Sequence, residues 1–428
     1  MTSWLFLAVS VWGAWFTWNA LWPMVAGARR SGVSFAAGWL TSELALHHVI
    51  WQAIATAAFG WTGAFAETPG QVGLAITLAS WAGLGRVQWL ASRAKPAVED
   101  ALKAALGARY RESIRPSLRE KLSRGIEWRR VALPFPIRRR EVEKIPDIPF
   151  ARERGVDLSL DVYRPRVPLA PGESRPVLFQ IHGGGWVIGD KREQALPLMY
   201  QLASRGWVCV SANYRLSPHA TFPEHLIDCK RALVWIREHV AEYGGDRDFV
   251  VVTGGSAGGH LAAMVALTQN DPRYQPGFED AETSVQGCVP FYGIYDMADR
   301  HGTYRHDGLL DVLSRQVLKG SPEEIPEAWE AASPLSQVHE DAPPLFAIHG
   351  DRDTLAPVGQ ARMFVAALGE KTREPLAYAE IPGAQHAFEL FPSLRSVHVN
   401  DGVERFLAVI YSRYLDARDR TQVGGVGC

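Results

Sequence analysis

The sequence predicts an α/β fold: a doubly wound, mostly parallel sheet with a helical cap, preceded by an N-terminal region of a different character. Three observations predict it. Strand and helix patterns alternate after about residue 130; a Gly-x-Ser-x-Gly pentapeptide joins a β-branched run to a helix-forming one; and ten of the fifteen tryptophans precede residue 90. Alternation of this kind buries a sheet between two helical layers.

The first element is residues 1–92, where the only charged residues are Arg29, Arg30, Glu43, Glu67 and Arg86. Residues 4–28 carry no charge, enough for a helix across a hydrocarbon core about 30 Å thick. Residues 49–66 and 71–90 are further candidates, with Pro69 and Gly70 marking a turn between them, so two to three membrane helices are expected. No basic stretch precedes the first apolar run, which disfavours a cleaved signal peptide, and tryptophans at the edges suit a membrane interface. The alternative is a soluble helical bundle. With three spans, the positive-inside rule puts Arg29 and Arg30 inside, Glu67 outside, and Arg86, Arg93 and Lys95 inside with the downstream domain on the cytoplasmic face; two spans reverse that side.

Next comes a basic connector, residues 93–130. The wider stretch 93–145 holds fifteen Lys/Arg against seven Asp/Glu, a net of +8, in a chain whose overall charge is −1. Residues 1–92 contribute +1, so the remainder is near −10. Val98, Leu102, Leu106, Tyr110, Ile114, Leu118 and Leu122 recur every fourth residue, an apolar stripe on helices interrupted around Pro116. Such helices either lie on an anionic membrane surface or cap a site in the following domain. Nucleic acid is the weakest partner, because no recognised module accompanies the basic charge and the rest of the chain is acidic.

Residues 131–420 read as the main domain. Strands are expected at 157–164, 176–182, 206–213 and 286–292, with a helix from Leu226 to Tyr243. A polar insertion at about 297–340, containing Arg300, His301 and Tyr304, follows the last of these strands and reads either as part of a lid or as a solvated excursion. Residues 421–428 read as a flexible tail. Cys209 and Cys288 fall in expected buried strands and Cys229 in a helix, so they read as small core residues. Cys428 lacks the spacing of a prenylation signal, and nothing suggests a disulfide framework.

The chemistry concentrates at four places. Phe249-Val250-Val251-Val252-Thr253 reads as a buried strand and Leu261 to Leu267 as a helix, so Ser256 sits on the tight turn between them, a nucleophile elbow with Gly254 and Gly258 keeping side chains out of the crossing. A phosphate cradle is disfavoured because no Lys-Ser/Thr follows the glycines. Upstream, a strand runs from Phe179 into His182-Gly183-Gly184-Gly185-Trp186. Backbone N–H groups of Gly184, Gly185 and Ala257, with Gly183 shaping the turn, suit an oxyanion hole. Downstream, Leu345 to His349 leads into a turn holding Asp351 and Asp353, and a later strand ends near His386. The chain order Ser, Asp, His completes an acyl-transfer constellation. His182 reads as a structural hydrogen-bonder, His260 as a core residue and His349 as a turn residue. No His/Cys cluster has metal-ligand spacing, and neither metal nor organic cofactor is expected.

At these residues the chain resembles the hormone-sensitive-lipase-like carboxylesterases of the α/β-hydrolase superfamily, in particular membrane-associated esterases of actinobacteria. The resemblance covers roughly residues 130–417 and rests on His182 to Trp186, Tyr214 to Pro218 with Phe222-Pro223, Gly254 to Gly258, His349 to Asp353, and His386. It implies that Asp353 rather than Asp351 is the acid, since related enzymes with His-Gly-x-x-Asp use the last residue. Many members have Ala-Pro-Glu where this chain has Ser217-Pro218-His219, a departure in a supporting loop. The implied activity is hydrolysis of short-to-medium or lipid-like acyl esters by Ser256, His386 and Asp353 through an acyl-enzyme. The alternatives are an amidase, deacetylase or acyltransferase on cell-envelope compounds, or a hydrolase-fold binding protein without catalysis. Oligomeric state is not legible.

Overall fold

The computed structural model describes residues 1–123, 125–135, 137–170, 172–304 and 307–424. Eight strands form one sheet: β1 (Val142–Glu153), β2 (Val156–Pro165), β3 (Arg175–Ile181), β4 (Val208–Ala212), β5 (Gly245–Gly255), β6 (Gly287–Phe291), β7 (Leu345–Gly350) and β8 (Leu376–Ile381). Their order is β1-β2-β4-β3-β5-β6-β7-β8. The β1–β2 and β2–β4 pairs are antiparallel, and every later pair is parallel.

The parallel strands are continuous apolar runs because both of their faces are covered. On one face Val177, Phe179, Ile181, Val250 and Val252 meet the helices Glu224–His239 and Ala257–Leu267. On the other, Leu178, Cys209, Val251 and Val289 meet the helix Leu196–Ser204 and the long C-terminal helix Leu394–Gly424. Burying each of the larger side chains contributes about 1.5–3 kcal/mol, so β5, whose Phe249 to Val252 are wholly buried, is firmly anchored, as is β3 beside it. The expected strands are present, and Cys209, Cys229 and Cys288 are buried free thiols.

Strand β1 lay outside the sequence expectation. It carries Pro146 and Pro149 and its pairing with β2 slips between Ile145 and Ile148 and again between Pro149 and Ala151. Prolines and bulges are tolerated at a sheet edge, and there they erase the alternation that marks a strand.

The N-terminal region holds four helices: α1 (Thr2–Leu21), α2 (Ala28–Glu43), α3 (Ala45–Trp61) and α4 (Thr68–Ser92). Pro69 and Gly70, expected to form the turn, instead lie in the first turn of α4, where a proline loses no helical hydrogen bond; the turn itself is Thr62 to Glu67. Among the described residues only α1 is long and apolar enough to cross a membrane. The helices α1 and α4 meet along small and hydroxylated residues: Thr17 Oγ1 lies 2.7 Å from Ser80 Oγ, and Thr77 donates to Ser10 at 3.0 Å. Gly83 admits Thr17 and Gly38 admits the Asn19 carbonyl, each at a distance where a Cβ would collide.

The basic connector needs correction. Its apolar stripe begins on α5 (Ala94–Leu106), and Val98, Leu102, Tyr110 and Ile114 are buried against β8 and the C-terminal helix as part of the main-domain core. That stripe therefore neither lies on a membrane nor caps a site. Pro116 opens a short helical turn rather than breaking one. The expected tail is corrected in part: the C-terminal helix runs to Gly424, while residues 425–428, Cys428 included, lie outside the described residues.

What covers the C-terminal ends of the strands is α2 and the elbow before it. Glu43 forms a fully buried ion pair with Arg395, and Ser393 donates to the same carboxylate at 2.7 Å. Removing one member of such a pair costs about 3–5 kcal/mol because the other charge stays buried alone. Glu43→Ala should therefore lower unfolding stability in detergent by about that amount, and a denaturant titration showing a loss under about 1 kcal/mol would mean that Arg395 finds other acceptors.

Candidate active site

The site residues stand where open α/β sheets place ligands, beyond the C-terminal ends of the strands. Gly183 to Gly185 follow β3, Ser256 follows β5, Asp353 follows β7 and His386 follows β8. Ser256 has φ 60° and ψ −123°, a strained conformation for a residue with a Cβ, and opens the helix Ala257–Leu267. The turn is pinned by Ser256 N–H donating to Phe291 O at 3.0 Å and His260 N–H to Ser256 O at 2.9 Å. Glycine is required on both sides: a Cβ at Gly258 would stand 2.1 Å from Ile181 O, and one at Gly254 2.3 Å from Gly258 O.

His386 Nδ1 lies 2.7 Å from Asp353 Oδ2. The other oxygen of Asp353 accepts from the N–H groups of Leu355 and Ala356 at 2.9 and 2.7 Å. Burial opposes ionisation of Asp353, but the facing His386 and the hydrogen bonds from His349 and His386 outweigh it and hold the carboxyl below the usual carboxylate range. Asp351 instead turns away to accept from Gly383 N–H at 2.7 Å, and burial raises its pKa. Among the described residues no hydrogen bond joins the Ser256 hydroxyl to His386; such bonds are often long in unliganded sites and tighten around substrate.

The glycine loop separates into an occupied and a free part. Gly183 N–H donates to Gln194 Oε1 at 2.6 Å, whereas among the described residues the N–H groups of Gly184, Gly185 and Ala257 have no acceptor. Gly184 and Gly185 have φ of 113° and 61°, conformations that glycine adopts without steric cost. Three unpaired donors at a loop and a helix N-terminus are an anion-binding arrangement.

The other histidines support the frame. His182 Nδ1 lies 2.8 Å from Gly183 O, its ring stacks on Tyr214, and burial lowers its pKa to about 4. His260 Nε2 lies 2.7 Å from Ala332 O, its Nδ1 accepts from Trp186, and burial likewise takes it to about 4. Both are neutral at pH 7. His349, expected in a turn, instead lies within β7, with its Nε2 2.9 Å from Ala356 O and 3.4 Å from Asp353 Oδ2.

Sequence reasoning missed several contributors. Gln385 Oε1 accepts from both Thr354 and His386 N–H groups and so ties the two loops together. The N-terminal module reaches the site directly: Phe35 packs edge-on to His386, and Trp39 Nε1 donates to Ala387 O at 2.9 Å. Leu21, Trp22, Pro23 and Val25 of the elbow share a cavity of about 490 Å³ with Asp351 to Asp353. The tryptophan content of residues 1–92 was visible, but a contact across 348 positions has no local signature.

Comparison with known proteins follows the same geometry. The family described as BD-FAE matches residues 160–368. The chain is 42% identical over 369 residues to the esterase LipQ of Mycobacterium tuberculosis, spanning 84% of this chain and 87% of that one. The chain belongs to the hormone-sensitive-lipase-like carboxylesterases and is a carboxylic ester hydrolase. It is also 45% identical over 295 residues to the probable carboxylic ester hydrolase LipM of the same organism, spanning 67% of this chain and 68% of that one. Among solved structures, apo Thermogutta terrifontis esterase 2 aligns with TM-score 0.51 at 25% identity over 63% of this chain and 94% of that one. A truncated carbohydrate esterase from gut microbiota aligns with TM-score 0.53 at 22% identity over 62% and 96%, a likeness of fold alone.

For this esterase the free N–H groups give a sharp expectation. A Cβ at Gly184 would stand 2.0 Å from Ile188 O, so Gly184→Ala must displace its N–H, and turnover should fall about 100- to 1000-fold. Asp353→Asn should cost about 10⁴-fold through the wrong imidazole tautomer, while Asp351→Asn, which keeps an acceptor for Gly383, should stay near wild type. Equal losses in the two asparagine variants, measured as kcat on one ester, would contradict the geometry.

Proposed function

We propose that the protein is a membrane-anchored serine carboxylesterase acting on acyl esters of short to medium chain, lipid-like ones included. The observation that carries the catalytic part is the 2.7 Å Asp353–His386 contact beside a positive-φ serine and three unpaired N–H donors. Ser256 attacks the ester carbonyl as His386 accepts its proton; Asp353 fixes the imidazole tautomer and stabilises the imidazolium. The N–H groups of Gly184, Gly185 and Ala257 receive the oxyanion, with Gly183 held back by Gln194 to shape the turn. His386 then protonates the leaving alkoxide, and water, deprotonated by the same imidazole, releases the acid from the acyl-enzyme.

The anchor reading rests on a helix whose polarity is inverted. In α1 the buried residues include Ser3, Ser10, Thr17 and Asn19, while Trp4, Trp12 and Trp18 are more than half exposed. In water that arrangement is costly; in lipid it is the expected one, with small and hydroxylated residues between helices and apolar side chains outside. A single span by α1, with α3 and α4 leaning on it, suits the apolarity better than three full crossings. The side of the membrane follows from the number of crossings, and the cytoplasmic face remains the preference if Arg86, Arg93 and Lys95 lie inside.

Two measurements test these parts separately. Full-length protein and Ser256→Ala, both detergent-solubilised, are compared on p-nitrophenyl esters from about two to about sixteen acyl carbons. Wild type should turn over best at short to medium length and the variant should lose at least about 10³-fold; residual turnover within about tenfold of wild type would remove Ser256 from the nucleophile role. In the second, the protein is reconstituted into vesicles whose acyl chains are brominated. Tryptophan emission should be strongly quenched, and an unquenched spectrum would return the module to the soluble-bundle alternative.

A further inference from the structure

Behind the candidate histidine lies a buried carboxyl that the ester mechanism does not use. Glu389 is 3% exposed, three residues beyond His386. One of its oxygens accepts the hydroxyl of Tyr292 in a very short hydrogen bond, and the other, Oε2, is buried with no partner among the described residues. An uncompensated carboxyl oxygen in the core costs free energy unless something is gained from it.

Tyr292 connects that carboxyl to both reacting groups. Its ring centroid lies 4.5 Å from the ring of His386. Its hydroxyl stands where a Cβ on Gly255, the residue before Ser256, would be only 2.7 Å away, so glycine is needed there for the phenol to fit. The residue itself is held at φ 37°, in the left-handed region, by its N–H donating to Ile348 O at 2.8 Å. The peptide just before it, at Phe291, accepts the Ser256 N–H. A strained, wholly buried tyrosine thus touches the nucleophile's turn at one end and the imidazole face along its side.

We propose that Glu389 and Tyr292 are a positioning pair for His386: Glu389 fixes the phenol, the phenol fixes the imidazole relative to the Ser256 turn, and the Glu389 carboxylate favours the imidazolium formed during attack. The proposal rests on the reading of Ser256, Asp353 and His386 as the triad. The charged and titratable groups facing the pair are His386, Asp353 and, from α2, Glu43. Burial raises the pKa of Glu389 to about 7, against the hydrogen bond from Tyr292 and the field of His386, so its charge changes near neutral pH.

The sign of the test follows. Glu389 carries its charge above about pH 7, and a carboxylate there stabilises the imidazolium formed during attack, so a neutral replacement costs turnover at high pH and little at low pH. Full-length Glu389→Gln and Tyr292→Phe are assayed on p-nitrophenyl butyrate between about pH 5 and about pH 9, with kcat and KM separated. In Glu389→Gln, which still accepts the phenol, kcat above about pH 8 should fall severalfold while kcat below about pH 6 stays near wild type. In Tyr292→Phe, kcat should fall about tenfold to hundredfold at a KM within about twofold of wild type, the signature of lost alignment. A Glu389→Gln profile superimposable on wild type, or wild-type kcat in Tyr292→Phe, overturns the proposal. Thermal unfolding checks each variant's fold; if Gln is not tolerated, Glu389→Met supplies a neutral side chain without an amide to satisfy. A wild-type enzyme that escapes fluorophosphonate labelling while Ser256→Ala retains turnover would instead overturn the triad reading, and the pair with it.

Discussion

The contact on which the rest depends is backbone against backbone. Strand β5 and the helix after it cross at Ser256 so closely that the Gly258 position all but touches the carbonyl of Ile181 on β3. Glycines at 254 and 258, with a serine in a positive-φ conformation between them, satisfy that crossing. It sets the serine above the sheet, aims the first N–H of the helix outward, and fixes the distance to the β3 loop that supplies the other donors. The strain is held by the buried apolar side chains of β5. Energy stored in the turn is therefore drawn from core packing several residues away.

The second constraint concerns the acid and base. Asp353 is buried, a situation that would ordinarily leave a carboxyl protonated. Three close donors reverse that, two backbone N–H groups of its own loop and His386, with His349 Nε2 at 3.4 Å adding a weaker contact while it bonds Ala356 O. Because Gln385 binds both the Asp353 loop and the His386 backbone, the two residues move as a unit. Placing the carboxylate's charge is thus solved by the loops, while the placement of the imidazole ring depends on what packs on its faces, Tyr292 on one and the N-terminal Phe35 on another.

How far this was legible in the sequence divides along physical lines. The elbow, the glycine loop and the strand-terminal Asp and His were readable because each is written in residues whose roles are local: glycine where φ must be positive, β-branched runs where a strand is buried on both faces. The choice of Asp353 over Asp351 was not in the residues at all and came from resemblance, since two carboxylates two positions apart on a turn differ only in direction. Strand β1 was hidden by prolines that an edge permits. The connector stripe was read correctly as apolar and wrongly as free, because periodicity tells which face of a helix is buried and never what buries it. The roof over the site escaped for the same reason: Trp39 and Glu43 share one face of α2, but nothing in the sequence relates that face to Ala387 and Arg395.

That roof ties location to catalysis. An N-terminal module joined by a loose linker would need no buried charge pair with the catalytic domain, and this one has Glu43 in the core of the histidine loop, paired to Arg395 and held by Ser393. Desolvating two charges is expensive, and well-packed apolar residues would often give equal stability. What an ion pair adds is discrimination, because a docking of α2 that separates Glu43 from Arg395 leaves a charge buried alone. The same helix carries Phe35 and Trp39 to the imidazole and its backbone. The face of α2 that holds the N-terminal helices on the histidine loop is therefore the face that packs against the base, so the position of one constrains the geometry of the other.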